Sequence, residues 1–153
     1  KVSGELVGSI TVSNSKLKPI IISDNIGKFL DELPILFVIA ALTKGVSKFK
    51  NIGDLKHKES NRLLESKKIL VQAGIKCKTT KDSIIIYGQS KIENQNKLIL
   101  TKTKGDHRIC MSSVIFSLVT GMRAKIKNFE TVNTSFPEFI SLIKNLGGKI
   151  VIK

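Results

Sequence analysis

Three short charged motifs contain the residues of this sequence that are best suited to bind an anion. They are KHKESNR at residues 56–62, DELP at 31–34 and DHR at 106–108. A helix normally begins with acidic residues because its amide end carries partial positive charge, yet basic residues crowd the predicted helix start near Glu59. Helix starts with lysine and arginine nearby suit phosphate or carboxylate, because backbone N–H groups and side chains act together there. We therefore predict an anion-binding site if these motifs meet in the fold.

Each motif also has a purely structural interpretation. Asp31 and Asp106 each precede a predicted helix, where aspartate most often serves as an N-cap. Glu59 and Arg62 are three positions apart in the sequence. Such a pair on a helix surface contributes only ~0.3 kcal/mol. The neighbouring lysines are typical of a solvated face in so basic a chain, and a lone histidine is weak evidence of catalysis.

The composition favours a packed domain that attracts anions. Hydrophobic residues make up 41% of the 153 residues, which indicates a folded core rather than disorder. The formal net charge of +14 suits nucleic acid, acidic lipid or phosphorylated metabolites, and its sign does not choose among them. Only three of the 26 basic residues are arginines: Arg62, Arg108 and Arg123. Since arginine grips phosphate and carboxylate at two points, we expect a geometric reason where it is retained.

The two cysteines and the longest apolar run exclude some classes of protein. Cys77 and Cys110 are far apart and match no metal-binding motif, so they are predicted to be small core residues in a reducing compartment. The run 33–42 is too short to cross a bilayer, and nothing at the start predicts a signal peptide. The chain begins at Lys1 in what reads as the middle of a fold, so we expect part of a larger protein.

The hydrophobic pattern predicts a mixture of helices and strands that must position these motifs. Strands are predicted over residues 5–14, 18–23, 45–52, 75–80, 82–88, 97–101, 124–130 and 149–153. Helices are predicted over residues 29–44, 59–74, 107–120 and 136–146. The helices at 29–44 and 107–120 are apolar nearly all round and should be buried. The helix at 59–74 has its apolar stripe at Leu63, Leu64, Leu70 and Val71.

The order of these elements repeats along the chain. The paired residues are Asp31 with Asp106, Gly45 with Gly121, and Gly74 with Gly147, at offsets of 75, 76 and 73 positions. KFKNI after the first buried helix corresponds to KIKNF after the second, 77 positions later. This period is longer than the ~20 to 50 residues of common solenoids, so a whole α+β unit is predicted to be duplicated. If the copies share an axis, their helix starts converge on one site.

Four segments together resemble the C-terminal part of the 5-enolpyruvylshikimate-3-phosphate (EPSP) synthase family, the 3-phosphoshikimate 1-carboxyvinyltransferases. They are DELPILFVIAALTKG, LKHKESNRL, GDHRICMSSVIFSLV and TSFPEFISLIKNLGGKI, in the family's order and spacing. The D-E-x-P and S-F-P-E-F forms are similar to the glyphosate-tolerant bacterial class. The resemblance implies domains of three βαβαββ units around a pseudo-threefold axis. Residues 1–153 would then supply about two units of one domain, repeated at 5–80 and 82–153.

The resemblance also implies an activity. The family transfers the enolpyruvyl group of phosphoenolpyruvate to the 5-hydroxyl of shikimate 3-phosphate, through a tetrahedral intermediate that expels phosphate. The reaction belongs to aromatic amino-acid biosynthesis in the cytoplasm and needs no metal ion and no cofactor. The expected partners are the two substrates and the missing N-terminal portion of the enzyme, without nucleic acid or membrane. Alone, this chain should be inactive.

The resemblance assigns roles to the charged residues. Asp31 matches the proton acceptor that also holds the shikimate hydroxyls, and Glu59 matches the glutamate that assists proton transfer at the enolpyruvyl carbon. Lys58 corresponds to the lysine at shikimate 3-phosphate. Arg62 and Arg108 correspond to the two arginines that clamp phosphoenolpyruvate, which suits the retention of arginine at these positions.

Several positions depart from the family pattern or take a lesser role. His107 aligns with a supporting substrate-binding histidine. Lys56 replaces an arginine with its charge kept, whereas Asn61 replaces an aspartate that could orient Arg62. Thr134 lies where some members have an active-site lysine, and no catalytic role is assigned to it.

Three other functions remain open from the sequence. The sister enzyme UDP-N-acetylglucosamine enolpyruvyl transferase shares the fold and the donor, but the combination of K-E-S-x-R and D-H-R argues against it. A basic nucleic-acid-binding module is disfavoured by the single Tyr, the absence of Trp and the dispersed lysines. The intact motifs weakly disfavour an inactive remnant.

Overall fold

The fold is built from helices and strands that recur in the same order. The computed structural model describes residues 8–92 and 96–151. The helices are α1 (Leu33–Ala41), α2 (Arg62–Gln72), α3 (His107–Thr120) and α4 (Phe139–Asn145). The strands are β1 (Ile21–Ile22), β2 (Gly45–Phe49), β3 (Lys76–Thr79), β4 (Ile84–Gly88), β5 (Leu98–Lys102) and β6 (Arg123–Lys127). Short 3-10 turns occupy Ile26–Glu32, Gly53–His57 and Phe129–Thr134.

The strand pairing shows how the units repeat. β1 runs parallel to β2 and the two are joined through α1, as β5 runs parallel to β6 and is joined to it through α3. The first unit continues with α2 and the antiparallel pair β3 and β4, giving a four-stranded sheet in the order β1-β2-β4-β3. The second unit continues with α4. The predicted repeat of an α+β unit is therefore visible in the order βαβαββ followed by βαβα.

The two buried helices carry the core, as predicted. α1 contributes buried apolar side chains, among them Leu33 and Phe37, and α3 contributes Ile109 and Phe116. The ring of Phe37 meets Phe49 of β2 edge to face, with ring centroids 4.9 Å apart. Arg62 at the start of α2 bonds to Asp106 just before α3, and Arg108 at the start of α3 bonds to the Asp31 carbonyl just before α1. The N-terminal ends of the three helices therefore lie on the same side of this core.

A close approach of the backbone joins α1 to the sheet at Gly88. A Cβ atom at Gly88 would lie 2.1 Å from the carbonyl oxygens of Ala40 and Thr43. Only glycine fits between the end of α1 and the end of β4, so any side chain there would push α1 away from the sheet.

Two helices begin later than the pattern predicted, for local reasons. α1 begins at Leu33 instead of residue 29 because Phe29 has non-helical φ and ψ angles and Pro34 requires a position in the first turn. α2 begins at Arg62 instead of residue 59 because Lys58 has an extended backbone and Asn61 caps the helix. The Oδ1 atom of Asn61 accepts a hydrogen bond of 3.0 Å from the backbone N–H of Leu64.

Other predictions differ at the chain ends and on α2. α4 begins at Phe139 instead of residue 136, since Pro137 interrupts a helix at that point. Residues 8–14 and 149–151 form no strand, and the rest of the predicted end strands lies outside the described residues. On α2, Leu63 and Leu70 of the predicted stripe are buried together with Ile69. Leu64 and Val71 of that stripe are instead 43% and 49% exposed.

The first unit contacts the second through a side chain that pairs with a strand. The amide of Gln72 on α2 donates from Nε2 to the Leu100 carbonyl at 3.1 Å, and its Oε1 accepts from the Leu100 N–H at 2.8 Å. Gln72 thereby satisfies both backbone groups of one β5 residue on the side away from β6.

Within residues 8–92 and 96–151, every helix falls short of the length and apolarity needed to cross a bilayer.

Candidate functional site

The guanidinium of Arg62 is the centre of the charged motifs. Arg62 is the first residue of α2, and its side chain is 1% exposed. Its Nε donates to Oδ2 of Asp106 at 2.9 Å, one terminal nitrogen to Oδ1 of Asp31 at 2.7 Å, and the other to Oε2 of Glu59 at 2.5 Å. Three carboxylates from three segments therefore surround one planar cation, so the Glu59–Arg62 pair is not the surface ion pair considered from spacing.

Asp106 fixes the orientation of Arg62 and also caps α3. Its carboxylate is fully buried, and Oδ1 accepts hydrogen bonds from the N–H groups of Arg108 and Ile109 at 3.1 and 3.3 Å. Its Oδ2 accepts from Ser60 Oγ and from Arg62 Nε, both at 2.9 Å. The N-cap prediction is confirmed for Asp106. The sequence analysis did not predict the bond between Asp106 and Arg62, although it predicted that the motifs containing these two residues would meet in one site.

Asp31 has a different role from the N-cap interpretation, which is wrong for this residue. Asp31 lies in the 3-10 turn before α1, and the residue at the N-cap position is Glu32. The carboxylate of Asp31 instead binds Lys58 Nζ at 3.0 Å and Arg62 at 2.7 Å. The hydrogen bond from Lys58 and the bond from Arg62 lower the pKa of Asp31, although partial burial opposes them. Asp31 is accordingly a carboxylate held between two cations.

Arg108 joins the start of α3 to the turn before α1. One of its terminal nitrogens donates to the backbone carbonyl of Asp31 at 2.9 Å and to Oε1 of Glu32 at 3.0 Å. The other terminal nitrogen lies 3.8 Å from Oδ2 of Asp31. The N-terminal ends of α1, α2 and α3 therefore converge, as the sequence predicted.

These residues form what we call the carboxylate–cation cluster. Its members are Asp31, Glu32, Lys58, Glu59, Arg62, Asp106 and Arg108. Lys58 and Arg108 are each 32% exposed, and Glu59 is 48% exposed, so the cluster opens to solvent on one side. Arg62 and Asp106 form its buried floor. Although burial disfavours the charged guanidinium, the hydrogen bond that Arg62 donates to Asp106 and the charges of Asp106 and Glu59 raise the pKa of Arg62.

The cluster can exchange one anion for another. Solvent reaches the carboxylates of Asp31, Glu32 and Glu59, which are 42%, 52% and 48% exposed. An incoming phosphate or carboxylate can therefore replace them on the two arginines. Asp106 is fully buried against Arg62, so an incoming anion has no solvent route to its position. The arrangement therefore combines fixed cations with carboxylates that are near enough to move protons on a bound anion.

Three other residues considered from the sequence are not members of the cluster. His107 is half-buried at the first position of α3. Lys56 is half-buried and lines a separate cleft of about 150 Å³ with Asn61, Lys67 and Thr79. Thr134 is exposed, and its hydroxyl donates to the Thr131 carbonyl at 2.9 Å.

The structure answers the question that Asn61 raised. Its side chain caps α2 through Leu64 N, whereas Arg62 is oriented by Asp106 and, through it, by Ser60. Asparagine and aspartate are comparably good N-caps, so the replacement keeps the cap. In this chain Asp106 is a carboxylate that orients Arg62, and the effect of Asn61 on the precision of the anion site stays a prediction.

Another cleft lies outside the cluster. It has a volume of about 490 Å³ and is lined by parts of α3, β6 and the end of the chain, including Ser117, Lys125 and Ile150. None of the cluster residues lines it. The lining of this cleft also includes Glu130 and lysines such as Lys127. We place the candidate site at the cluster because the cluster holds three carboxylates in direct ion pairs with the buried guanidinium of Arg62.

Parallel strand pairs linked by buried helices, with acids and cations gathered where three helices begin, define an enolpyruvyl transferase fold. The family model described as "EPSP synthase (3-phosphoshikimate 1-carboxyvinyltransferase)" matches residues 1–143. This chain belongs to the EPSP synthase family. The predicted fold class and family are confirmed.

Curated relatives and a solved structure agree with this placement. The 3-phosphoshikimate 1-carboxyvinyltransferase of Paramagnetospirillum magneticum is 32% identical over 97% of this chain and 33% of its own length. The enzyme of the same name from Campylobacter jejuni subsp. doylei is 37% identical over 95% of this chain and 33% of its own length. The EPSP synthase structure from Acinetobacter baumannii superposes with a TM-score of 0.76 at 34% identity, over 85% of this chain and 30% of that one. The chain thus spans about a third of these relatives.

Proposed function

We propose that this chain forms part of an enzyme that transfers the enolpyruvyl group of phosphoenolpyruvate to the 5-hydroxyl of shikimate 3-phosphate and releases phosphate. The observation that carries the proposal is the convergence of Asp31, Glu59 and Asp106 on the buried Arg62 guanidinium. Family membership supplies the substrates, and the cluster supplies groups of the kind that the reaction needs. It requires fixed positive charge for the donor and carboxylates that move protons.

The proposed roles are those that the family resemblance implies, and the contacts within the cluster support them. Arg62 and Arg108 bind the phosphate and carboxylate of the donor, and Lys58 binds shikimate 3-phosphate, with His107 supporting the substrates. Glu59 helps to deliver a proton to the methylene carbon of the donor and to remove it later. Asp31 holds the shikimate hydroxyls and accepts a proton during the reaction. When a methyl proton leaves the tetrahedral intermediate, its electron pair forms the new double bond and the C–O bond to phosphate breaks.

The two cations beside Asp31 explain how this weakly basic carboxylate could accept a proton during the reaction. In the cluster as it stands, the hydrogen bond from Lys58 and the bond from Arg62 keep the pKa of Asp31 low. A bound anion shares those two cations, so the pKa of Asp31 rises when substrate arrives. The proton acceptor would thereby become more basic only when the site is filled.

The rest of the enzyme is part of the proposal. Residues 1–153 would be the C-terminal part of one enolpyruvyl transferase domain, with the repeat at about 5–80 and 82–153. Its partner would be the N-terminal portion of the same enzyme, which completes the pocket for shikimate 3-phosphate. We place this enzyme in the cytoplasm, where its phosphorylated substrates occur, with no role for nucleic acid or membrane and no need for a metal ion or cofactor.

The decisive experiment measures phosphate release by the full-length protein from phosphoenolpyruvate and shikimate 3-phosphate. Arg62→Lys keeps the charge but loses the planar fork, and Asp31→Asn keeps the size but loses the base. We expect Asp31→Asn to lower kcat/KM by at least about 100-fold, which is typical for loss of a general acid–base group. Arg62→Lys should lower it by a comparable factor of about 100-fold, because a fixed donor to the reacting anion is lost. The matched control is Arg123→Lys, since Arg123 is an exposed arginine on β6 outside the cluster.

Three results would contradict the proposal. Wild-type activity with UDP-N-acetylglucosamine in place of shikimate 3-phosphate would assign the sister reaction. Unchanged turnover in both Arg62→Lys and Asp31→Asn would place the active site elsewhere. Tight DNA binding that persists above physiological salt, without phosphate release, would favour a nucleic-acid-binding role, because contacts of simple charge should weaken under those conditions.

A further inference from the structure

Glu32 is the one acid on the open side of the cluster that the proposed chemistry does not use. It occupies the N-cap position of α1, yet within the described chain its side chain forms no capping bond to that helix. Its carboxylate instead lies 3.0 Å from a terminal nitrogen of Arg108. The side chain of Glu32 is 52% exposed, so solvent or a ligand can reach this ion pair.

Arg108 does not depend on Glu32 for its position. The same terminal nitrogen that meets Glu32 also donates to the backbone carbonyl of Asp31 at 2.9 Å. The main-chain N–H of Arg108 is held by Asp106 at 3.1 Å. Loss of the Glu32 charge would therefore leave the guanidinium in place with more of its positive charge available to an anion.

The formal charge of the cluster makes the charge of Glu32 important for anion binding. It contains four carboxylates against three cations, so its formal charge is −1 before any substrate binds. A phosphorylated carboxylic acid is itself a multiply charged anion and is repelled by each acid that remains. Of the four acids, Asp106 is needed to orient Arg62, and Asp31 and Glu59 have proton-transfer roles. Glu32 is left as a charge that only opposes binding.

We infer that Glu32 is an intramolecular competitor of the donor substrate, because its carboxylate occupies the place on Arg108 that the phosphate or carboxylate of phosphoenolpyruvate would take. Glu32 thereby weakens donor affinity and favours release of the phosphate product. This inference rests on the proposed function, since it assumes that Arg108 binds the donor.

The test compares Glu32→Gln with wild type in the full-length protein. Gln keeps the shape of the side chain and removes its charge. We expect the KM for phosphoenolpyruvate and the Kd from calorimetric titration to fall by about two- to fivefold, the range for a solvent-exposed ion pair. Raising the salt concentration should narrow this difference, because the competition is electrostatic. Glu138→Gln is the matched control, since Glu138 is exposed and lies outside the cluster.

The outcomes separate this inference from the function on which it rests. If Glu32→Gln leaves the Kd unchanged or raises it while wild type releases phosphate, Glu32 does not compete with the donor and the inference is wrong. If neither protein binds phosphoenolpyruvate by calorimetry, the inference is also overturned. A wild-type protein without phosphate release contradicts the proposed function, whereas tighter binding by the variant would still support competition at Arg108.

Discussion

Arg62 and Asp106 form an ion pair in which both side chains are buried, with Nε 2.9 Å from Oδ2. The pair links the first residue of α2 to the N-cap of α3, across 44 positions of sequence. A buried charge is tolerated only when it is paired and hydrogen-bonded, and here Ser60, Arg108 and Ile109 complete the bonds of Asp106. The pair therefore holds the open side of the cluster on a rigid floor.

Asp106→Asn should destabilise the folded protein. The change keeps the volume but leaves the buried Arg62 with less compensating charge, and the new amide N–H groups would face other donors. We expect the free energy of unfolding to fall by about 3 kcal/mol. Urea denaturation of the full-length protein measures this change. Asp54→Asn, at an exposed aspartate, should change it by less than about 0.5 kcal/mol. If Asp106→Asn and Asp54→Asn changed the free energy of unfolding equally, the buried ion pair would not contribute to stability.

The contribution of Asp31 to stability should depend on pH. The hydrogen bond from Lys58 and the bond from Arg62 lower the pKa of Asp31 below its ordinary value of 3.8 in the folded state. A lowered carboxyl pKa gives stability that is fully present above the unfolded pKa and is lost as pH falls through the folded pKa. Asp31→Asn should therefore differ most from wild type above pH 3.8, and the difference should shrink below it. Unfolding midpoints measured across this range provide the test, and a constant difference would contradict the ion pairing.

Ser66→Ala should stabilise the protein. Among the described residues, Ser66 Oγ is the buried side-chain atom without a hydrogen-bond partner, and it faces a small space between α1, α2 and α3. Removing an unsatisfied buried hydroxyl should raise the free energy of unfolding by about 1 kcal/mol.

Ser113→Ala is the matched control for this prediction. Ser113 is also a buried serine in a helix, but its hydroxyl is 2.7 Å from Thr101 Oγ1. Its loss should lower the free energy of unfolding by about 1 kcal/mol, because Thr101 is left without that partner. Thermal unfolding of Ser66→Ala and Ser113→Ala gives the comparison. If the midpoint temperature shifted in the same direction for both variants, the prediction would be wrong.

The two cysteines should react slowly with iodoacetamide in the folded protein. Burial raises the pKa of Cys77 to about 11, and burial with the nearby charges of Glu130 and Asp106 raises that of Cys110 to about 12. Since the thiolate is the reactive form, both should label far more slowly at pH 8 than in urea. Cys77 is partly exposed and should label before the fully buried Cys110. Mass spectrometry of timed samples would show the order.

The elements with local chemical boundaries were predictable from sequence. α3 runs over residues 107–120 as predicted, because Asp106 supplies its cap and Gly121 supplies a left-handed residue with φ 69° at its end. The hairpin of β3 and β4 was also predicted, since its strands are bounded by polar residues near Asp82. In both cases neighbouring residues determine the structure.

Features that depend on distant residues were not predictable in the same way. Sequence spacing could not show whether Asp31 is an N-cap or a site residue. Its role depends on the positions of Lys58 and Arg62, which are distant in the sequence. The exposure of Leu64 was mispredicted because the side of α2 that faces the core is set by packing against α1 and α3. Convergence of the helix ends was predicted, but only through the repeat and its assumed common axis.

The bonds between Gln72 and Leu100 bear on how the protein avoids aggregation. An unpaired strand edge is a template for pairing with another chain, and β5 would offer such an edge on the side away from β6. The side-chain amide of Gln72 hydrogen-bonds to both the N–H and the carbonyl of Leu100, as a residue of a neighbouring strand would do. It closes the middle of that edge to neighbouring molecules, and the sheets of the two units remain separate instead of merging through β5.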